Sequence, residues 1–519
     1  MKYSLNFEFS PEQAAEGAYI KKAIASQLNV SQKDIVLYRI IRRSIDARNK
    51  NIKVNLGIEA YLGEIPEIQK PDFKFENIKN SKEVIIIGAG PAGLFAALKL
   101  IESGIKPVIF ERGKEVSSRK RDIAAIHRNE GVNPDSNYGF GEGGAGTFSD
   151  GKLFTRSKKK GDIRRILELF YYHGAQEEIL IDAHPHIGTN VLPGVIKRMR
   201  ESILNSGGEI HFNSRVIDID VSGGNVKGIR LLNGETYKSD NIILSAGHSA
   251  KELYYMLHEK GIKLEAKSFA VGFRVEHPQS LIDSIQYHCN ERGPYLPAAN
   301  YSYAEQAHGR GVYSFCMCPG GIIVPASTSN NELVVNGMSS SFRNGRFANS
   351  GIVTEVRVSD LKNYEKYGDL ACLKFQEELE EKSFMLGGLT QNAPAQRLTD
   401  FLNGRVSSNL PETSYHPGLL SSDLNILFPG FIKESLKAGL KLIGNKARGF
   451  VTGEAIVAGL ESRTSSPVRI PRDKDTMEHI QIKGLYPCGE GAGYAGGIVS
   501  SAIDGEKCAE KICEKLNIR

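Results

Sequence analysis

Hydrophobic positions in this chain switch between a period of two, solid apolar runs and a helical period, and the switches outline its elements. Tyr3 to Phe9 is apolar at every second position, which predicts a strand. A helix opens at Ser10-Pro11-Glu12-Gln13: serine suits the cap, proline the first helical position, and Gln13 the reciprocal place of a capping box. Two more strands are expected around Ile35 to Ile45 and Ile52 to Leu62. Residues 1–75 therefore read as a small α/β domain, with the polar, proline-containing stretch from Gly63 to Lys82 as a linker.

At Val84 the pattern becomes a solid run, Val84-Ile85-Ile86-Ile87, the mark of a central parallel strand covered on both faces. Leu94, Leu98 and Ile101 then recur at helical spacing, Gly104 stops the helix, and Val108 to Phe110 is a second buried run. After a helix around Asp162 to Tyr172, strand-like runs begin at Glu209, Asn225 and Asn241. Gly-Gly and Asn-Gly turns between them imply a β-meander that returns to a parallel strand. Residues 251–450 mix strand and helix signals; Gly484 begins a last strand, a glycine-rich turn and a long terminal helix. The expected division is an N-terminal domain (1–75), a Rossmann-like nucleotide domain in two parts (83–257 and 449–519), and an α+β substrate or cap domain (258–448) between those parts.

The glycines after Val84–Ile87 carry the first chemistry. Gly88 permits a tight turn, Gly90 lets backbone approach a pyrophosphate, and Gly93 lets the new helix pack on the sheet. Pro91 and Ala92 open that helix, whose free amides and dipole attract phosphate. Glu111, followed by Arg112, ends the next strand, where a carboxylate accepts ribose hydroxyls. A second loop, from Gly139 to Leu153, offers Gly143, Gly144 and Gly146 with the hydroxyls of Thr147 and Ser149, backbone able to wrap a flat phosphorylated ligand. A third segment, Asn241-IILSAGHSA, ends in small residues that include Ala246 and Gly247.

Composition narrows the class. The 519 residues carry a net charge of +6, too little to require a polyanionic partner. No apolar run approaches the about 18 residues that span a bilayer, and the first residues lack a secretory signal, so a cytoplasmic location is expected. Seven scattered cysteines form neither a disulfide framework nor a zinc pattern. Cys316 and Cys318, the one close pair, share a strand face and read first as buried small residues. Two basic clusters, Arg39, Arg42, Arg43, Arg48, Lys50 and Lys53, then Lys158 to Lys160 with Arg164 and Arg165, read as solvated faces before they read as nucleic-acid contacts, because few aromatics interleave them.

Together these segments resemble the glutathione-reductase-like FAD fold, over roughly Val84 to Leu257 and Gly449 to Arg519. The resemblance implies one extended FAD, with Gly88, Gly90 and Gly93 at the pyrophosphate, Glu111 at the adenosine ribose, Val216 at the adenine, and Gly489-Glu490 at the ribityl chain. Such folds usually have Asp where Glu490 stands. A helix starting near Gly496, Gly497 and Ile498 would aim amides at the flavin edge where negative charge gathers on reduction. A narrower likeness covers the whole chain. GEGGAGTFSDGKL from Gly141, AVGFRVEHPQ from Ala270, CMCPGGIIVPAS from Cys316, ESRTSSPVRIPRD from Glu461 and YPCGEGAGYAGGI from Tyr486 resemble the bacterial family of uncharacterised FAD-dependent dehydrogenases.

Such a resemblance implies an FAD-dependent oxidoreductase acting on a small molecule, with the substrate left unassigned. In Phe273-RVEHP, Arg274 could clamp a substrate carboxylate and Glu276 or His277 move a proton; an Arg–Glu salt bridge on a cap strand is the plainer reading. Lys152, at the end of the glycine loop, is a candidate neighbour of the isoalloxazine or equally a helix-surface lysine, and Arg463 a candidate for an anion or part of FAD or equally a structural arginine in a polar loop. Tyr494 and Cys488, beside the last turn, read as packing. There is no cysteine before Cys289, so a glutathione-reductase-type CxxxxC is absent, and no second GxGxxG marks a dedicated NAD(P) domain. NAD(P)H stays open as a transient reductant. No metal-ligand spacing is present. Two alternatives remain: a flavoprotein that binds or modifies RNA through its basic N-terminal domain, and a non-catalytic FAD-binding protein.

Overall fold

The first sixty residues form a layer of their own. The computed structural model describes residues 1–67, 70–154 and 161–518. In it β1 (Lys2–Phe9), α1 (Pro11–Ala15), α2 (Gly17–Leu28), β2 (Ile35–Asp46) and β3 (Lys53–Leu62) make an antiparallel sheet of order β1-β3-β2. The alternating residues Leu5, Phe9, Leu56 and Ile58 meet Ile20 and Ile24 of α2 in its core. Ser10 Oγ accepts from the Gln13 amide at 3.3 Å while Ser10 N donates to Gln13 Oε1 at 3.0 Å, a complete capping box.

The next segment runs β4 (Glu83–Ile87), α3 (Pro91–Glu102), β5 (Lys106–Phe110), α4 (Val116–His127), α5 (Ile163–Tyr172), α6 (Leu192–Asn205) and β6 (Glu209–His211). A meander follows, β7 (Val216–Ser222), β8 (Asn225–Leu231) and β9 (Thr236–Lys238), and then β10 (Ile242–Leu244) and α7 (Lys251–Glu259). In α3, Leu94, Leu98, Leu100 and Ile101 are all but fully buried, each contributing about 1.5–3 kcal/mol relative to exposure. The helix ends at Gly104, whose φ of +74° suits glycine.

The central region holds β11 (Glu265–Ala266), β12 (Phe269–Pro278), α8 (Gln279–Tyr287), β13 (Ala304–Ala307), β14 (Arg310–Pro325), β15 (Val335–Ser339) and β16 (Phe347–Val356). It continues with α9 (Ala371–Leu386), β17 (Ala393–Arg397), α10 (Leu398–Asn403), β18 (Leu419–Ser421), α11 (Gly430–Lys446) and β19 (Ile456–Glu461). Eight of these strands form one sheet, ordered β13-β14-β16-β12-β19-β17-β18 with β15 beside β14. Here the expected boundary at 448/449 needs correction. β19, buried along its whole length, pairs with β12 on one side and β17 on the other, so the cap domain extends through Glu461. A six-residue apolar run does not show which of two sheets will bury it.

Last come β20 (Val468–Arg469), β21 (Leu485–Pro487) and α12 (Ile498–Lys515). β21 completes a wholly parallel sheet of order β21-β10-β4-β5-β6. Helices α3, α5, α6 and α12 cover one face, and the meander with α7 covers the other. The chain thus leaves this α/β domain after α7 and returns to it for β21. Among the described residues no helix is long and apolar enough to cross a membrane.

Candidate functional site

Parallel strands leave every strand-to-helix loop at one edge, the carboxyl end, where such sheets bind ligands. The loops after β21, β10, β4, β5 and β6 line one continuous cleft there. Five adjacent strands span four spacings of about 4.8 Å, or about 19 Å, a length suited to an extended dinucleotide. Its empty space, open mouth included, is about 1710 Å³. Phe315 and Cys316 of β14 and Asn336 and Gly337 of β15 close it from above, so both domains build it.

At one end stand Glu111, Arg112, Ser214, Arg215 and Val216; in the middle Gly88, Gly90, Pro91 and Ala92 at the start of α3; at the other end Glu490, Gly496, Gly497 and Ile498 at the start of α12. Glu111 is 5 % exposed. Its Oε2 accepts from Ala89 N at 2.9 Å, and its Oε1 from Gly113 N at 2.9 Å and Gly141 N at 3.0 Å. One carboxylate so ties the first glycine turn to the second glycine loop. Arg119, fully buried, fixes that loop from below by donating to the carbonyls of Asn137 (2.7 Å), Tyr138 (2.8 Å) and Glu142 (2.8 Å). Burial lowers its pKa to about 10, so it stays charged. Glu142 lies beside it with its carboxyl pushed up to about 7 by burial, against the pull of the Val116 amide and Arg200.

Three family descriptions match the chain: an FAD binding domain at residues 81–128, an FAD-dependent protein C-terminal domain at 268–464, and a domain of unknown function at 1–61. A relative from Clostridium beijerinckii, described only as an uncharacterized protein, is 40 % identical over 519 residues, 96 % of each chain. This chain belongs to that family of FAD-dependent proteins. FAD is its cofactor. Solved structures resemble the flavoprotein more distantly. They include a mutant of the halogenase PltM in complex with FAD (11 % identity, 85 % of this chain and 71 % of that one, TM-score 0.40). A geranylgeranyl bacteriochlorophyll reductase-like protein from Thermoplasma acidophilum is another (12 % identity, 84 % and 80 %, TM-score 0.35). Function must therefore be read from this flavoprotein's own residues.

Glycines shape the cleft wall to fit FAD, because side chains there would fill it. At Gly247, Gly496 and Gly497 the position of a Cβ meets no atom within 4 Å, and at Gly90 only the Gly144 Cα at 3.9 Å. His248 faces the cleft with its buried Nε2 unpartnered, while its Nδ1 lies 3.4 Å from Glu490 Oε1.

Of the residues expected to hold the cofactor, Gly88, Gly90, Pro91, Ala92, Glu111, Arg112, Gly144, Gly146, Ser149, Val216, Ala246, Gly247, Glu490, Gly496, Gly497 and Ile498 share this lining. Gly93, Gly143, Thr147, Lys152 and Gly489 stand outside it. Gly93 packs helix on turn, for a Cβ there would lie 2.0 Å from Gly88 O. Gly143 N donates to Ala89 O at 2.7 Å, and Thr147 Oγ1 to Glu142 O at 2.7 Å. Gly489 N donates to Asp504 Oδ2 at 2.7 Å. Lys152 stands behind Cys316, its Nζ 3.1 Å from Asp150 Oδ2.

The expected catalytic trio needs correction, since none of Arg274, Glu276 and His277 lines the cleft. Arg274 is fully buried and engaged, with Glu461 Oε2 at 2.8 Å, Asn336 Oδ1 at 3.0 Å, Asn349 Oδ1 at 3.1 Å and the Cys316 carbonyl. Its ion pair is with Glu461, across the ladder from β12 to β19, and burial raises that carboxyl to about 7 despite the arginine. Glu276 accepts from Thr413 Oγ1 at 2.8 Å, the Ser414 amide at 3.0 Å and the Ser414 hydroxyl. His277 bonds the Phe450 carbonyl at 2.8 Å, and burial lowers its pKa to about 4. All three residues tie cap elements together.

Arg463 lines the cleft, but its guanidinium is taken by Glu332, by Glu380 at 3.1 Å and by Thr328 Oγ1 at 3.1 Å. In the first basic cluster Arg39 pairs with Glu177, Arg43 with Asp182, Arg48 with Asp46 and Lys53 with Glu8. In the second, Arg164 pairs with Glu168 and Arg165 with Glu102 and Glu506; Lys158 to Lys160 lie outside the described residues. The site residues that sequence reasoning missed, Phe315, Asn336, Gly337, Arg215 and His248, sit on cap strands and short loops with no motif of their own. Gly337 alone carries a spatial signal, because a Cβ there would lie 2.5 Å from Arg274 Nη2.

Proposed function

We propose that this flavoprotein is an oxidoreductase of the glutathione-reductase-like subtype, a dehydrogenase in which a small molecule reacts beneath the β14–β15 roof. The observation that carries the reading is the order of helix N-termini along one cleft. The start of α3 lies mid-sheet, suited to phosphates, and the start of α12 lies at the outer strand, suited to a flavin ring. When bound, FAD supplies two-electron chemistry. The chain supplies the rest. The amides that open α12 favour negative charge at the ring end, Phe315 and Gly337 shield that end from water, and Glu490 with His248 beside it offers a carboxylate and an imidazole at that same end.

NADH or NADPH is the proposed reductant, taken up transiently in the open mouth. The test is anaerobic mixing of holoprotein with NADH, NADPH and a metabolite panel while the visible flavin bands are followed. Bleaching by one compound identifies the reductive half-reaction. A flavin that dithionite bleaches but no nucleotide or metabolite reduces would refute this dehydrogenase reading.

A further inference from the structure

Behind the cleft roof lies a cluster that the binding of FAD does not require. Cys316 lines the cleft and Cys318, two residues on, is fully buried. The Cys318 thiol donates to the Cys316 carbonyl at 3.3 Å. Lys152 Nζ lies 3.7 Å from Cys316 Sγ and 3.5 Å from Cys318 Sγ, and Arg274 Nη2 lies 3.8 Å from Cys318 Sγ. Two cations so converge on two sulfurs, at the wall where the glycine loop runs past; Gly146 of that loop packs against Ile498 at the start of α12.

The backbone is shaped for the pair. In a regular strand, residues two apart are separated by about 6.6 Å, the upper edge of the roughly 4.4–6.8 Å that a disulfide spans. Cys316 has a φ of +45°, in the left-handed region, and the ladder to β16 shifts register between Phe315 and Cys318. Such a bulge bends the strand and shortens the span. Arg274 holds the distorted residue by its carbonyl, and Gly337 leaves room for that guanidinium.

We propose that Cys316 and Cys318 form a dithiol–disulfide pair that exchanges two electrons with the flavin. In the oxidising direction Cys316 reacts as a thiolate, stabilised by the Lys152 ammonium 3.7 Å from its sulfur. The Cys318 S–H bond breaks and one S–S bond forms. Two electrons and that one proton pass to the oxidised flavin, which becomes the reduced anion, so atoms and charge balance without a further reagent. Lys152 then keeps Asp150 as its counter-ion. A ring closed over so few atoms is strained, which makes the disulfide easy to reduce again.

The inference rests on the ring lying at the α12 end, as in the reading above, and its test separates the two. Tryptic peptide Gly311–Arg343 contains Cys316 and Cys318 and no other cysteine. Holoprotein is unfolded in iodoacetamide and digested, once after aerobic oxidation and once after anaerobic reduction by dithionite. The oxidised sample should yield the peptide unalkylated and lighter by two hydrogens, the reduced sample the doubly alkylated peptide. In an anaerobic dithionite titration the native protein should take up four electrons per FAD, and Cys318→Ser two. Double alkylation in both states, with two electrons per FAD in the native protein, overturns the pair while leaving the flavoenzyme reading intact. A disulfide that forms but is not reduced along with the flavin also overturns it.

Discussion

Replacing Arg274 with methionine removes a fully buried cation and leaves Glu461, 1 % exposed, without its counter-charge. Breaking a buried ion pair from one side costs about 3–5 kcal/mol, because the remaining charge keeps its desolvation and loses its partner. That is two to four powers of ten, roughly, in the folding equilibrium. The cost should depend on pH. The Glu461 carboxyl, raised by burial to about 7 even beside Arg274, rises further without it, so Arg274→Met folds with a neutral Glu461 at pH 5 and suffers most above pH 7. Urea unfolding followed by tyrosine emission measures this, as the chain has 20 tyrosines and no tryptophan. The decisive comparison is the cycle with Glu461→Gln. Contacting groups couple by about 0.5–3 kcal/mol, and a pair at 2.8 Å with no solvent belongs at the upper end. Single and double variants that add to within about 0.5 kcal/mol at pH 8 would refute the claim that this pair, rather than its separate hydrogen bonds, braces the roof.

Gly497→Val should fold and fail to hold FAD: its φ of 169° suits any residue, and its Cβ points into open cleft. Unchanged circular dichroism with at least a tenfold weaker FAD dissociation constant is expected. Gly93→Ala should destabilise the whole nucleotide domain by about 1–3 kcal/mol, because the new methyl would lie 2.0 Å from Gly88 O; denaturant midpoints check it. Glu142, raised to about 7 by burial, binds its proton more tightly folded than unfolded. Its contribution is fully present below pH 4.5 and is lost as pH rises through about 7. Glu142→Gln should therefore flatten the fall in stability between pH 5 and pH 8.

The nucleotide half of the molecule was legible because its constraints are local. Val84–Ile87 must be apolar to sit mid-sheet, Gly90 opens α3 where backbone lines the cleft, and Ile498 must follow glycines for α12 to begin at the cleft. Each requirement falls within a few adjacent residues, so spacing alone exposes it. The same locality recovered the capping box of Ser10 and Gln13 and the meander turns at Gly223-Gly224, both with positive φ.

The cap domain obeys a different logic. Arg274 meets Glu461 across 187 residues, and Lys152 meets Cys318 across 166, so neither partner is visible from the other's neighbourhood. Alternation correctly placed Arg274 and Glu276 at strand positions two apart, yet it could not say that a bulge, a glycine at 337 and an antiparallel neighbour would turn the arginine inward. Charged residues on a strand fit a salt bridge and a substrate clamp alike when their counter-charges are unknown, and here the plainer salt-bridge reading holds, with Glu461 as the partner. Once Glu461 and Gly337 are in place, the same arginine becomes the brace of a strained cysteine turn, and the reactive group shifts from Arg274 to the sulfurs it holds.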